Sequence, residues 1–274
     1  GNVSLTNLVS SSGVVATDVT GVGTARNGSA SASYGTDKAI FGYGTTGSYV
    51  SISNLVNNSG VVATDVTGVG TARAFLAAAG YGLDKAIFGY GKTGSLLSMS
   101  NLVSNSGVVS TDTTGVGTAR EIIAAAGYGG DKALFGYGVA ASGNVSVTNL
   151  VSSSGVIAAD VSGVGTARGG TGAAGYGTDK AIFAYGNSGS YVSMSNLVSN
   201  SGVVASDVTG VGTGRAYLAA AGYGGDKAIF AYGYTGSNVS MSNLVSSSGV
   251  VAADVTGVGT ARNGLAAAGY SISA

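Results

Sequence analysis

Short apolar segments alternate along the chain with turns rich in Gly and Ser. Residues 145–151, Val-Ser-Val-Thr-Asn-Leu-Val, alternate apolar and polar side chains at period two, the mark of a half-buried strand. Three similar segments surround it, at 123–128, 132–137 and 156–161, separated by Gly129-Gly130, a Gly-bearing loop and Ser152-Ser-Ser-Gly155. These read as four strands, a (123–128), b (132–137), c (145–151) and d (156–161), of an antiparallel meander. Helix is not expected, because no 3.6-residue period is present and Gly recurs too often.

The same unit returns along the whole chain. Asp-Lys pairs begin at Asp37, Asp84, Asp131, Asp179 and Asp226, steps of 47 or 48 residues. The Arg closing each Gly-Thr-Ala-Arg-like segment falls at Arg26, Arg73, Arg120, Arg168, Arg215 and Arg262. Four strands in about 47 residues is the size of a propeller blade. Strand a is poor in bulk, as at Ala77-Ala78-Ala79. It therefore belongs innermost, where strands converge on the axis. The expected fold is all-β: a six-bladed β-propeller of four-stranded antiparallel blades, with residues 1–274 forming one propeller domain, part of a longer chain. The sequence begins in strand c (3–8) and ends after strand a (265–270), so the terminal blade is expected to draw on both chain ends. Only Ser271-Ile-Ser-Ala274 stands where its strand b belongs: either a longer chain was trimmed, or this blade is incomplete.

Composition narrows the function classes. Charged residues make up 9% of the chain and the formal net charge is zero, so no basic face is expected to bind nucleic acid. No apolar run approaches the roughly 20 residues of a membrane span, and no membrane insertion is expected. Gly1-Asn2-Val3-Ser4 does not read as a signal peptide. Cys and His are both absent. Disulfides, thiolate metal sites and the commonest general bases are thus excluded. The expectation is no enzyme, no catalytic residue, no metal site and no cofactor.

Eleven of the twelve acids recur in register, as do all six Arg and five of the six Lys. A charge repeated once per blade reads as structural, an Asp–Arg or Asp–backbone bond between neighbouring blades. The bulky residues out of register are Tyr49, Phe75, Lys92, Glu121, Tyr191, Tyr217 and Tyr234. All fall in the b–c and d–a loops. Successive turns of a meander alternate between its two ends, so these loops share one face of the ring. Tyr offers apolar area and a hydroxyl with few rotors, as recognition surfaces require. The seven residues form the candidate ligand-binding set. With two charges among them, they suit a neutral sugar better than a polyanion.

Two resemblances bear on this reading. The unit Thr24-Ala25-Arg26, a small-residue strand, then Gly-x-Asp-Lys-Ala-Ile-Phe-Gly-Tyr-Gly resembles the kelch repeat. Here Gly42-Tyr43-Gly44 stands in place of adjacent glycines, and the kelch Trp is absent. The wording at 101–120, Asn-Leu-Val-Ser-Asn-Ser-Gly-Val-Val-Ser-Thr-Asp-Thr-Thr-Gly-Val-Gly-Thr-Ala-Arg, resembles repeats in virion and tail-fibre-like proteins of uncultured marine phages. That second resemblance implies display on a virion surface or outside the cell. The implied partners are a host cell-surface glycan or protein, together with other virion proteins. The alternative is a rigid spacer or virion assembly subunit without a ligand. Ice binding by Thr and Ser arrays needs a flat sheet, and propeller blades are twisted.

Overall fold

The computed structural model describes residues 1–270 and contains strands and turns without a helix. Strand a runs over Ala30–Tyr34, Ala77–Tyr81, Ala124–Tyr128, Gly172–Tyr176 and Ala219–Tyr223 in blades 1 to 5. Strand b follows at Lys38–Gly42, Lys85–Gly89, Lys132–Gly136, Lys180–Asn187 and Lys227–Tyr234. Strand c occupies Ser53–Val56, Ser100–Val103, Thr148–Val151, Tyr191–Val198 and Asn238–Val245. In each blade b lies between a and c, antiparallel to both. Strand a of each blade packs on strand a of the next, so these small-residue strands line the axis. The molecule is a six-bladed β-propeller.

Strand d is weaker than the expected fourth strand. It touches c through two isolated bridges per blade, such as Ser53 with Val66 and Val56 with Val62. It is the outer edge, with Val61, Val108 and Val156 at 60–65% exposure. A short, interrupted outer strand offers little edge for unwanted pairing.

The sixth blade joins the two chain ends. Bridges Thr6–Val19 and Val9–Val15 form its c–d hairpin, and 265–270 take the position of strand a. Thr260 donates to Asp18, Arg262 donates to Asn7 Oδ1, and Ser33 Oγ donates to Gly269 O at 2.7 Å. Ser271–Ala274 lie outside the described residues.

The register charges meet at each blade junction, as the boundary of blades 1 and 2 illustrates. Arg73 is 0% exposed. Its guanidinium lies 4.3 Å from the Tyr43 ring of blade 1. It donates through Nε to Tyr90 O and through Nη2 to Asn101 Oδ1, both in blade 2. Asn101 passes the polarity on by donating to Asp112 Oδ1 at 2.9 Å, and Thr71 Oγ1 donates to Asp112 Oδ2 at 2.6 Å. Arg73 itself stands 3.9 Å from Asp112. The expected Asp–backbone bond is present, the Thr71 N–H donating to Asp112 Oδ2 at 3.0 Å, while Arg73 is linked to Asp112 chiefly through Asn101. A buried guanidinium is tolerable only with its donors satisfied and its charge balanced, and this arrangement does both. Burial opposes ionisation of Asp112, but the bonds from Thr71 and Asn101, helped by the charge of Arg73, outweigh it and hold the carboxyl below its usual value.

The Tyr beneath each Arg has an unusual backbone. Tyr43, Tyr90, Tyr137, Tyr185 and Tyr232 have φ between 59° and 65°, a left-handed conformation that costs roughly 1–2 kcal/mol for a residue with a Cβ. In blades 4 and 5 the b–c register shifts at this residue. The bulge turns the ring toward the next blade. The Tyr43 ring then lies under Arg73 and edge-on to Phe88 at 5.1 Å, while its hydroxyl donates to Val69 O. Desolvated cation–π contacts contribute about 2 kcal/mol and an aromatic pair about 0.5–1.5, enough to offset the strain.

Arg120→Ala should lower stability by about 3–5 kcal/mol, because it strands Asn149 and Asp160 at a buried junction. Lys92→Ala removes a side chain 38% exposed in an ion pair and should cost at most about 1 kcal/mol. Denaturant unfolding of both variants measures the difference, and equal midpoints would refute the assignment.

Alkali provides a second test. Burial pushes the phenols of Tyr43, Tyr90, Tyr137 and Tyr185 up to about 12, against about 10 in an unfolded chain. The folded state thus holds protons that the unfolded state releases. Stability from this source is complete below about pH 10 and falls as pH rises toward 12. Melting temperature should decline across that window, with tyrosinate absorbance at 295 nm appearing together with unfolding. Tyrosinate at full amplitude before unfolding would contradict the burial of these rings.

Candidate functional site

Two residues beyond each register Arg, the backbone forms a closed circle around the axis. The Phe75 N–H donates to Gly28 O, Ile122 to Phe75 O, Gly170 to Ile122 O, Tyr217 to Gly170 O, Gly264 to Tyr217 O, and Gly28 to Gly264 O, all between 2.8 and 3.2 Å. Each blade contributes one residue to this collar. All six have φ between 54° and 67°. Hydrogen bonds running in one sense around a ring polarise one another, so the circle reinforces itself.

Three collar positions are Gly, for which a positive φ carries no steric penalty. The other three are Phe75, Ile122 and Tyr217. A β-branched residue at Ile122 is a true outlier in this conformation. The side chains fit because each aromatic leans over a Gly. A Cβ added at Gly28 would meet the Phe75 ring at 2.8 Å, and one added at Gly170 would meet Tyr217 Cδ1 at 3.3 Å.

The other candidate residues surround this collar on the same side. The b–c loops pair with the d–a loops, Asn27 with Thr45, Ala74 with Lys92 and Ala216 with Tyr234, and Thr45 also bridges to Tyr49 within its own b–c loop. Lys92 Nζ and Glu121 Oε1 are 3.2 Å apart, so the two charges outside the repeat pattern form one ion pair. The b–c and d–a loops bring Lys92, whose side chain is 38% exposed, to Glu121. Tyr191 and Tyr234 meet edge to face at 6.0 Å. Burial raises the Tyr217 phenol above its ordinary value, and Tyr191 and Glu121 add to the shift, so all three lie within electrostatic reach. Tyr49 is exposed, whereas Phe75, Tyr191, Tyr217 and Tyr234 are half-buried. Tyr49 sits apart in blade 1.

A cleft of about 210 Å³ opens beside Gly170, lined by Ile122, Val139, Asn144, Gly169, Asn187 and Tyr217. It has an aromatic wall, two aliphatic residues and two amides. Such a lining can stack on an apolar ring face and hydrogen-bond hydroxyls. Sequence reasoning missed Ile122 because it reads as the lead-in to strand a at 123. The signal was present in register: position Arg+2 runs Gly, Phe, Ile, Gly, Tyr, Gly around the ring.

No family model matches the chain. No curated protein matches it either. A solved structure described as "Structure of YjhT" superposes with a TM-score of 0.63 at 14% identity, covering 81% of this chain and 82% of that one. The likeness is one of fold.

The collar makes a stability prediction. Ile122→Gly exchanges a half-buried side chain for relief of about 1–3 kcal/mol of backbone strain, less the added flexibility of Gly when unfolded. Its stability should stay within about 1 kcal/mol of the parent. Ile87→Ala, fully buried in an ordinary strand, should cost about 2–5 kcal/mol. Chemical denaturation compares them, and equal losses would show that Ile122 is simply a core residue.

Proposed function

We propose that this propeller is a non-enzymatic recognition module whose collar face binds a neutral ligand with hydroxyls around an apolar ring, a glycan in the first instance. One observation carries the reading. Phe75, Ile122 and Tyr217 occupy strained positions that Gly fills without strain in the other three blades. Strain retained at an exposed mouth, without repetition around the ring, points to selection for the side chain. The cleft at Gly170, the Tyr191–Tyr234 pair and the Lys92–Glu121 ion pair add stacking area and a self-neutralised charge. Display on a virion surface or outside the cell follows the resemblance of the repeat wording, and a host surface glycan is the ligand consistent with it.

The test uses Gly as the substituent, because the collar already accepts it. Tyr217→Gly combined with Tyr234→Ala removes two aromatics of neighbouring loops without disturbing the junction arginines. On a glycan array the parent should bind a neutral sugar, and the double variant should lose about 2 kcal/mol or more of that binding while keeping its melting temperature. An array on which the parent binds nothing, or on which both proteins bind alike, would overturn the proposal.

A further inference from the structure

Side chains of the collar face that differ from one blade to the next return after three blades. Tyr49 recurs as Tyr191, Phe75 as Tyr217 and Gly28 as Gly170, each 142 residues on. Beside the collar, Ser29 and Thr171 share the same step, where the other blades carry Leu76, Ile123, Leu218 and Leu265. Three blades of six make half a turn. A two-fold pattern is thus laid over the six-fold frame.

The geometry repeats with the residues. Asn2 Nδ2 donates to Thr45 O, and 142 residues further on Asn144 Nδ2 donates to Asn187 O, both at 3.0 Å. Each bond ties the loop before strand c of one blade to the b–c loop of the next. Thr45 and Asn187 in turn bridge to Asn27 and Gly169, the residues before the two collar glycines. From the following blade an aromatic residue donates its N–H to each Gly: Phe75 to Gly28 O at 2.8 Å and Tyr217 to Gly170 O at 2.9 Å. Gly suits both places, because a Cβ at Gly28 would meet the Phe75 ring at 2.8 Å and one at Gly170 the Tyr217 N at 3.0 Å. The two halves differ in their far wall. Beside Tyr217 the cleft of about 210 Å³ is closed by Ile122 and Val139. The collar position three blades from Ile122 is Gly264. Tyr191 meets Tyr234 edge to face, whereas the place of Tyr234 in the other half is taken by Lys92, paired with Glu121. The half at Tyr217 therefore presents the larger apolar surface.

On the reading of the collar face as glycan-binding, we propose that it holds two sugar sites half a turn apart, one at Tyr49 and Phe75 and one at Tyr191 and Tyr217, and that its partner is a neutral glycan presented in many copies. Each site stacks one sugar ring on an aromatic that the collar hydrogen bonds hold in place. A rigid ring with two such sites gains from effective concentration when the glycan repeats, since the second contact is made within one complex. The Tyr217 site is the tighter of the two, because Ile122, Val139 and Tyr234 enlarge its apolar wall.

The probes are the methyl glycosides of glucose, galactose, mannose and N-acetylglucosamine, titrated calorimetrically against the 274-residue protein, and the same sugars carried on a polyacrylamide chain, captured on a biosensor. Two sugars bound per protein are expected, with the Tyr217 site the tighter. Phe75→Gly and Tyr217→Gly should each leave one site, and the two together none. Their melting temperatures should stay close to that of the parent, because the collar already holds Gly in three blades. Tyr49→Ala, in an exposed loop, tests the Phe75 site without touching the collar. Each single variant should lose at least about tenfold in affinity for the polymer. One sugar per protein, or polymer binding unchanged in both Phe75→Gly and Tyr49→Ala, would overturn the two-site proposal and leave the Tyr217 half as a single glycan site. Binding of none of the four sugars in either form would overturn the glycan reading of the face with it.

Discussion

The fold hangs on a guanidinium held out of water between blades. Arg is suited to the place because its planar fork can serve several acceptors in fixed directions while its face lies on a ring. Arg120 shows the arrangement in full: Tyr90 lies against its flat face, Tyr137 O accepts from Nε, Thr118 O from Nη1 and Asn149 Oδ1 from Nη2. The three donor directions lead to the end of strand b, to the loop that carries the Arg and to strand c. One side chain thus fixes strands b and c of its own blade, the loop that carries it and strand b of the blade before. This explains how a chain with so few charges places nearly all of them in register.

The junctions also account for the strain elsewhere. A Tyr in the sheet plane could not reach the next blade. The left-handed bulge at Tyr43 and its equivalents aims the ring there, and the following Gly accommodates the return of the chain. On the opposite face a second tie repeats, in which the Gly82 N–H donates to Asp131 O and the Gly129 N–H to Asp179 O. The Asp-Lys pairs therefore tie blades through their backbone, while the Asp side chains pair with the adjacent Lys and, at Asp84 and Asp179, accept from Asn105 and Asn200 of the c–d turns. With blades pinned at both ends and packed through strand a, the collar can hold a β-branched residue at positive φ without collapsing.

Closure of the ring depends on the same node. Asn7, Asp18, Thr260 and Arg262 reproduce between distant parts of the chain the set that elsewhere joins consecutive blades. The blade they build is held at its c–d hairpin and at its inner segment.

The sequence by itself determined the blade. The 47-residue period, the alternation in strand c, the Ala-rich strand a and the recurrence of Arg and Asp are local or periodic features, and they placed six units on one ring. It also placed Tyr49, Phe75, Lys92, Glu121, Tyr191, Tyr217 and Tyr234 in loops of one face, because meander geometry follows from strand order alone. Tertiary structure decided what touches what. Asn101 and its equivalents read as ordinary polar positions of strand c, yet they carry the Arg–Asp link, since only the folded blade brings residues 28 positions apart into contact. Ile122 reads as the beginning of a strand; its place in the collar depends on φ, which the pattern of apolar residues does not encode. The thinness of strand d and the pairing of Lys92 with Glu121 likewise arise from neighbours far along the chain. Periodicity reports which face a residue occupies, and only the closed ring assigns it a partner.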